Sequence, residues 1–124
     1  MADHSTYRKD FPVSWDEMHR NAKALAWKLL DKGPDGGKWK GVLAITRGGL
    51  VPACIMAREL EVLVIETFCI STYDVKDMGK SNILKMPTGV DNQGEGWIVI
   101  DDLVDTGGTF RIIRQHFPKA HYGC

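Results

Sequence analysis

The chain has 124 residues, which suits one small domain, and its 16 basic and 16 acidic side chains balance. This balance excludes charge-driven binding to nucleic acid, and no apolar run is long enough to span a bilayer. The first twelve residues lack the apolar core of a secretion signal, and the three cysteines show no metal-like spacing. We therefore expect a cytoplasmic protein with reduced thiols and no transmembrane segment.

A capping box predicts where the first helix begins. The Ser14 side chain can accept a hydrogen bond from the N–H of Glu17, while the glutamate reaches back to Ser14. Apolar residues then recur on one helical face, at Met18, Ala22, Leu25 and Leu29. Gly33 is predicted to end this helix, and the glycine- and proline-rich segment 33–38 predicts a surface turn.

Residues 41–45, Gly-Val-Leu-Ala-Ile, have the composition of a buried strand and lead into Thr-Arg-Gly-Gly and a helix with Pro52 near its start. Arg47 offers forked donors, and the following helix points its positive end at the same loop, so this pattern suits an anion. Taken alone, the loop also fits an ordinary turn with a surface arginine. Together with the acidic loop described below, it indicates a ligand site at the carboxyl end of the sheet.

The middle of the chain predicts a helix over 53–60 and a strand over 62–70. A polar stretch from Ser71 to about Gly96 follows, and it is too long for a tight turn. It is either a mobile lid or a disordered insertion, with a short returning strand over 83–86.

The most informative stretch is 97–114. Four apolar residues, Trp-Ile-Val-Ile, predict a strand buried on both faces, and Asp101 and Asp102 follow at its end. Asp105 and Thr-Gly-Gly-Thr then lead into a short helical pattern over 110–114. Glycine N–H groups, threonine hydroxyls and a helix N-terminus suit a phosphate, whereas the acidic pair suits sugar hydroxyls or a divalent metal. The alternative is a strand-turn-helix whose acidic turn is simply solvated.

Asp-Asp-Leu-Val-Asp-Thr-Gly-Gly-Thr at 101–109 resembles the phosphoribosyl-pyrophosphate (PRPP) signature of the type I phosphoribosyltransferases. Thr-Arg-Gly-Gly-Leu at 46–50 resembles their bacterial xanthine-guanine branch, and the likeness extends from Val13 to His121. The resemblance implies an α/β fold with a mostly parallel open sheet, flanking helices and a flexible lid loop. It also implies a purine salvage enzyme that transfers the 5-phosphoribosyl group from PRPP to xanthine, guanine or hypoxanthine and releases pyrophosphate.

The resemblance also assigns roles to residues. It implies Mg²⁺ as cofactor with Asp102 as its contact, and Asp105 as the catalytic acid/base that faces the purine. Arg47 and Gly48 would hold the pyrophosphate. The implied PRPP-binding set is Arg47, Gly48, Asp101, Asp102, Leu103, Val104, Asp105, Thr106, Gly107, Gly108 and Thr109. Gly79 stands where relatives carry a loop arginine, so no role is assigned to it or to Lys80.

Beyond His121 the sequence departs from the family pattern. Relatives continue with a core strand, a lysine that contacts the purine and an aromatic residue that stacks on it, whereas this chain ends at Cys124. We therefore expect one domain over 1–124, incomplete at its C-terminus, with an uncovered edge at the 97–100 strand or its neighbour. Such a chain would associate with copies of itself, as a dimer or tetramer, and turn over purines slowly or not at all.

Two other functions and one other location stay open. The chain could be a PRPP-binding regulatory or inactive module that lacks base recognition. A generic doubly wound nucleotide-binding domain is disfavoured, because no Gly-x-Gly-x-x-Gly follows a strand. Peripheral attachment to the inner membrane is the alternative to a free cytoplasmic protein.

Overall fold

The computed structural model describes residues 14–71, 82–101 and 108–123. Helices and strands follow one another along these ranges in the order α1 (Trp15–Leu29), β1 (Gly41–Ile45), α2 (Leu50–Glu59), β2 (Ile65–Ser71), β3 (Asn82–Lys85), β4 (Trp97–Ile100), α3 (Gly108–His116) and β5 (His121–Gly123). A short 3₁₀ turn, Asn92–Gly94, precedes β4. Within these ranges, no helix is long and apolar enough to cross a membrane.

The strands form one five-stranded sheet in the order β3-β2-β1-β4-β5. β1 is parallel to β2 and to β4, and β4 is parallel to β5, whereas β3 runs antiparallel to β2. The chain thus builds outwards from β1 on one side and then crosses to the other side to place β4. A crevice at the carboxyl ends of β1 and β4 follows from this switch, and such crevices are where open α/β sheets bind ligands.

The core lies on both faces of the sheet, as the sequence predicted for β1 and β4. One cluster packs α1 and α2 against one face, where Val42 and Ile98 are completely buried. The other cluster includes Leu43, Val99 and Ile113 and packs against the opposite face. Because neighbouring residues of a strand point to opposite faces, β1 and β4 need apolar side chains at every position. The predicted α/β fold with a mostly parallel sheet and flanking helices is confirmed.

The start of α1 is confirmed and its end was predicted wrongly. The Glu17 N–H donates to Ser14 Oγ at 3.1 Å, and the Ser14 N–H donates to Glu17 Oε1 at 3.5 Å. The helix ends at Leu29, before Gly33, which instead exchanges two backbone hydrogen bonds of 3.0 Å with Gly37. A Cβ on Gly33 would lie 2.0 Å from the Lys38 carbonyl oxygen, so this glycine serves the turn and not the helix end.

The other predicted elements exist with shifted bounds. α2 begins at Leu50 and not at residue 53, because Pro52 fits within the first turn of a helix. β2 begins at Ile65, three residues after its predicted start, and β3 confirms the returning strand. The predicted lid falls partly on 72–81, which lie outside the described residues.

The predicted uncovered edge lies at β5. β4 is flanked on both sides, by β1 and by β5, and Val99 pairs with Tyr122. Residues 121–123 therefore add a strand to the sheet, and the described strands end at β5 on this side and at β3 on the other.

Candidate active site

The site begins where β1 and β4 end. The two strands are paired in parallel with Ala44 opposite Ile100, so the residues after each strand emerge at the same edge of the sheet. Thr46, Arg47 and Gly48 follow β1, and Asp101 follows β4. The structure therefore brings the arginine-glycine loop and Asp101, the first residue of the acidic loop, to the same edge of the sheet.

Gly49 is the point at which the two loops touch. A Cβ on Gly49 would lie 2.3 Å from the Ile100 carbonyl oxygen and 3.1 Å from the Asp101 Cα. Its φ of −85° is open to any residue, so the glycine is required by this close approach and not by its backbone conformation. Sequence reasoning missed Gly49 as a site-building residue, although its place as the second of two glycines after a strand was the available signal.

Backbone hydrogen bonds fix the arginine-glycine loop. The Thr46 N–H donates to the Phe68 carbonyl at 3.0 Å, and the Gly49 N–H donates to the Ile45 carbonyl at 2.8 Å. Within the described ranges, the N–H groups of Arg47 and Gly48 donate to no acceptor of the chain, and both residues are exposed. Unpaired N–H groups, a guanidinium and the N-terminus of α2 thus lie side by side, which suits an anion.

Asp101 is the one buried charged side chain among the described residues, with 6% of its surface exposed. Burying a carboxylate is costly unless polar groups or a cation engage it. Asp101 lies at the carboxyl end of β4, beside Gly49, at the edge of the sheet where open α/β sheets bind ligands. The four apolar residues of β4 are themselves buried and hold Asp101 at that point.

α3 begins at Gly108, so Gly108 and Thr109 form its first turn. The helix is longer than the predicted 110–114 at both ends. Its N-terminus carries the N–H groups and the partial positive charge that the sequence predicted for a phosphate. Ile113 anchors the helix in the core, where its side chain is fully buried.

Only part of the predicted site lies within the residues that the structure describes. It describes Arg47, Gly48, Asp101 and the first turn of α3. The predicted residues that lie outside the described ranges are Asp102, Leu103, Val104, Asp105, Thr106 and Gly107. Within those ranges, no three His, Cys, Asp or Glu side chains are grouped closely enough to hold a metal ion.

A comparison with known proteins now identifies the family. The phosphoribosyl transferase domain family matches residues 14–120. The chain belongs to this family. The predicted resemblance is thus confirmed, and a generic doubly wound nucleotide-binding domain is no longer an alternative.

Curated relatives are similar over nearly the whole chain. A xanthine-guanine phosphoribosyltransferase of Nitratidesulfovibrio vulgaris strain DP4 is 52% identical over 122 residues, covering 98% of this chain and 71% of that protein. One from Desulfotalea psychrophila strain LSv54 is 54% identical over 117 residues, covering 94% of this chain and 69% of that protein.

Solved structures agree with the fold. A purine phosphoribosyltransferase from Pyrococcus horikoshii Ot3 superimposes with a TM-score of 0.71 at 26% identity, covering 90% of this chain and 72% of that one. A hypoxanthine-guanine phosphoribosyltransferase from Bacillus anthracis has a TM-score of 0.70 at 23% identity, covering 88% and 65%. The second likeness concerns the fold alone.

Proposed function

We propose that this chain is a purine phosphoribosyltransferase of purine salvage, a pentosyltransferase. It transfers the 5-phosphoribosyl group from PRPP to xanthine, guanine or hypoxanthine and releases pyrophosphate. The observation that supports the proposal most strongly is the close approach at Gly49, where the arginine-glycine loop after β1 meets the backbone of the buried Asp101 after β4. Relatives that are 52% and 54% identical bear the name xanthine-guanine phosphoribosyltransferase.

Arg47 and Gly48 hold the pyrophosphate of PRPP. Their backbone N–H groups and the Arg47 guanidinium are exposed beside the N-terminus of α2. A guanidinium presents forked donors that match the oxygens of a phosphate, and backbone N–H groups add donors without a flexible side chain. This part of the site neutralises the charge that leaves with the pyrophosphate.

Asp101 and Asp102 bind the ribose hydroxyls, and the residues of the next turn bind the 5′-phosphate. Carboxylates accept hydrogen bonds from the two sugar hydroxyls, so the ribose lies along the end of β4. Thr106, Gly107, Gly108 and Thr109 supply hydroxyl and N–H donors at the start of α3, whose dipole favours the phosphate. Leu103 and Val104 belong to the same PRPP loop.

The reaction is a displacement at the anomeric carbon of the ribose. Pyrophosphate departs and a purine ring nitrogen attacks, so positive charge builds up on the ribose ring in the transition state. The enzyme must therefore align the two reactants and stabilise the leaving group. Asp105 faces the purine and exchanges a proton with its imidazole ring as general acid/base.

Mg²⁺ fits the donor set of this site. Hard oxygen ligands are what Mg²⁺ prefers, and it commonly takes one or two carboxylates together with substrate phosphates. Asp101 brings a carboxylate to the end of β4, and we assign the metal contact to its neighbour Asp102. Bound there, Mg²⁺ would offset negative charge on the pyrophosphate and ribose oxygens.

We also infer a homo-oligomer, a dimer or tetramer, in the cytoplasm. Large apolar side chains that lie on the surface support this inference, among them Trp15 (72% exposed), Leu63 (97%) and Leu84 (61%). Contiguous apolar patches mark protein interfaces, and a membrane surface is the competing explanation for them. Analytical ultracentrifugation, with and without anionic vesicles, distinguishes the two.

A product assay tests the proposed activity. The chain is incubated with PRPP, Mg²⁺ and one of xanthine, guanine or hypoxanthine, and nucleotide and pyrophosphate are measured in parallel. We expect both products to form slowly, in equal amounts, and to vanish when the purine is omitted. PRPP binding without any product would favour the inactive PRPP-binding module, and no PRPP binding would contradict both functions.

A further inference from the structure

Tyr122 of β5 contacts α3 and the residue that follows it at three levels. Its ring packs edge-on against Phe110, with 5.3 Å between ring centroids, and the Arg114 guanidinium carbon lies 4.6 Å from its centroid. Its hydroxyl donates to the Phe117 carbonyl at 2.7 Å. Residues 110, 114 and 117 are spaced at i, i+4 and i+7, so they lie on one side of the helix.

The same residue is fixed to β4. In the parallel pairing of β4 and β5, Val99 stands opposite Tyr122, and Val99 lies two residues before Asp101. Phe110 lies two residues after Gly108, the first residue of α3. Tyr122 therefore links β4 to α3, contacting the strand through the sheet and the helix through its ring.

These contacts suit a role in fixing the position of α3 relative to β4 and β5. The hydroxyl donates to the carbonyl of Phe117, directly after the last helical residue, where backbone carbonyls lack helical partners. The same carbonyl also accepts a longer bond of 3.3 Å from the Ala120 N–H. The aromatic pair and the guanidinium over the ring act further up, closer to the N-terminus. Burial raises the pKa of Tyr122 to about 12, against a smaller lowering by Arg114, so the phenol keeps its proton at neutral pH.

We propose that Tyr122 is a positioning residue for the phosphoribosyl half of PRPP, acting through Phe110 and α3 on the first helical turn at Gly108 and Thr109. The inference rests on the proposed function, because it needs the 5′-phosphate to bind at that turn. It makes one specific prediction. Loss of the Tyr122 ring should weaken binding of the phosphoribosyl half of the substrate and spare the pyrophosphate half at Arg47 and Gly48.

Calorimetry tests this prediction with two fragments of PRPP, namely ribose 5-phosphate and inorganic pyrophosphate with Mg²⁺. Tyr122→Leu removes the ring, whereas Tyr122→Phe keeps it and removes only the hydroxyl. Leu29→Ala, in α1 and on the other face of the sheet, is the control for a general loss of stability. Product assays at saturating purine add the KM for PRPP and kcat.

We expect Tyr122→Leu to raise the Kd of ribose 5-phosphate about five- to tenfold, the scale of a lost aromatic contact. Tyr122→Phe should raise it about twofold to fivefold, in keeping with the loss of one neutral hydrogen bond. Pyrophosphate binding should stay unchanged in both variants, and the KM for PRPP should rise more than kcat falls. Leu29→Ala should lower the melting temperature and leave both Kd values unchanged.

Equal weakening of the two fragments, or an unchanged Kd for ribose 5-phosphate in the folded Tyr122→Leu protein, would overturn the inference. If Tyr122→Leu does not fold, Tyr122→Phe decides, and an unchanged Kd in that variant overturns it as well. Failure of the parent chain to bind either fragment is a different result. It would contradict the proposed function itself, and this inference with it.

Discussion

Gly49 and Asp101 are in backbone contact although they belong to distant parts of the sequence: a Cβ on Gly49 would lie 3.1 Å from the Asp101 Cα. This contact sets the spacing between the loop after β1 and the loop after β4. The first loop carries Arg47 and the second carries the acidic pair. The distance between the two halves of the proposed PRPP site therefore depends on the absence of a side chain at residue 49.

Gly49→Ala should damage the site more than the fold. The added methyl would lie 2.3 Å from the Ile100 carbonyl oxygen, a backbone atom that cannot move without shifting β4. We expect a loss of about 1–3 kcal/mol in unfolding free energy, as for other overpacked positions, and PRPP binding at least about tenfold weaker. Urea denaturation and calorimetry on the same protein give the two numbers.

Gly36→Ala is the matched control for this substitution. Gly36 has a φ of +62° in a surface turn, and a Cβ there would have no atom within 4 Å. Its alanine variant should lose about 1 kcal/mol through backbone strain and bind PRPP as the parent does. If Gly49→Ala retained normal PRPP affinity, the contact at Gly49 would not set the spacing of the site.

Much of this arrangement could be predicted from the sequence because it depends on local composition. β1 and β4 are continuous apolar runs, as strands buried on both faces require. Ser14 and Glu17 form the capping box that determines where α1 begins. The loops after the two strands then follow from the rule that ligands bind at the carboxyl edge of a parallel sheet.

The rest depends on contacts between distant residues. No local pattern says that Gly49 touches Ile100, that Tyr122 reaches Phe110, or that residues 121–123 pair with β4. The end of α1 was predicted wrongly for a local reason: Gly33 pairs with Gly37 in a turn of its own, and the helix has already ended at Leu29. The roles of Asp102 and Asp105 rest on family resemblance and stay predictions.

Asp105→Asn should slow the chemical step and leave PRPP binding nearly unchanged. The amide keeps the size of the side chain and cannot exchange a proton with the purine. We expect kcat to fall by about 10²–10⁴-fold, the usual contribution of one acid/base group. Steady-state kinetics with guanine, on a complete and active version of the enzyme, measures kcat, and calorimetry measures PRPP affinity. A variant that instead loses PRPP binding would identify Asp105 as a sugar or metal contact.

The raised pKa of Tyr122 predicts that the free energy of unfolding depends on pH in the alkaline range. Its pKa is raised from 10.0 to about 12 in the folded chain, chiefly by burial. The unfolded chain therefore releases this proton first as the pH rises, so the contribution of Tyr122 is complete below pH 10 and is lost between pH 10 and pH 12. The direction of this change follows from the raised pKa alone.

Urea denaturation at several pH values between 9 and 12 measures this contribution as the difference between the parent and Tyr122→Phe. The other tyrosines titrate in both proteins and cancel from the difference. We expect the stability advantage of the parent to shrink as the pH rises through this window. A difference that stays constant would show that the phenol is as accessible in the folded chain as in the unfolded one.

The most direct test of the proposed site is PRPP binding to the double variant Asp101→Ala/Asp102→Ala. Titration calorimetry in the presence of Mg²⁺ compares it with the parent and with Asp91→Ala, which removes an exposed carboxylate away from the proposed site. The side chain of Asp91 makes no hydrogen bond to the 3₁₀ turn that it precedes, so we expect the parent and Asp91→Ala to bind PRPP with the same affinity. The double variant should give no measurable heat. A folded double variant that binds PRPP as tightly as the parent would contradict the assignment of the site to the end of β4.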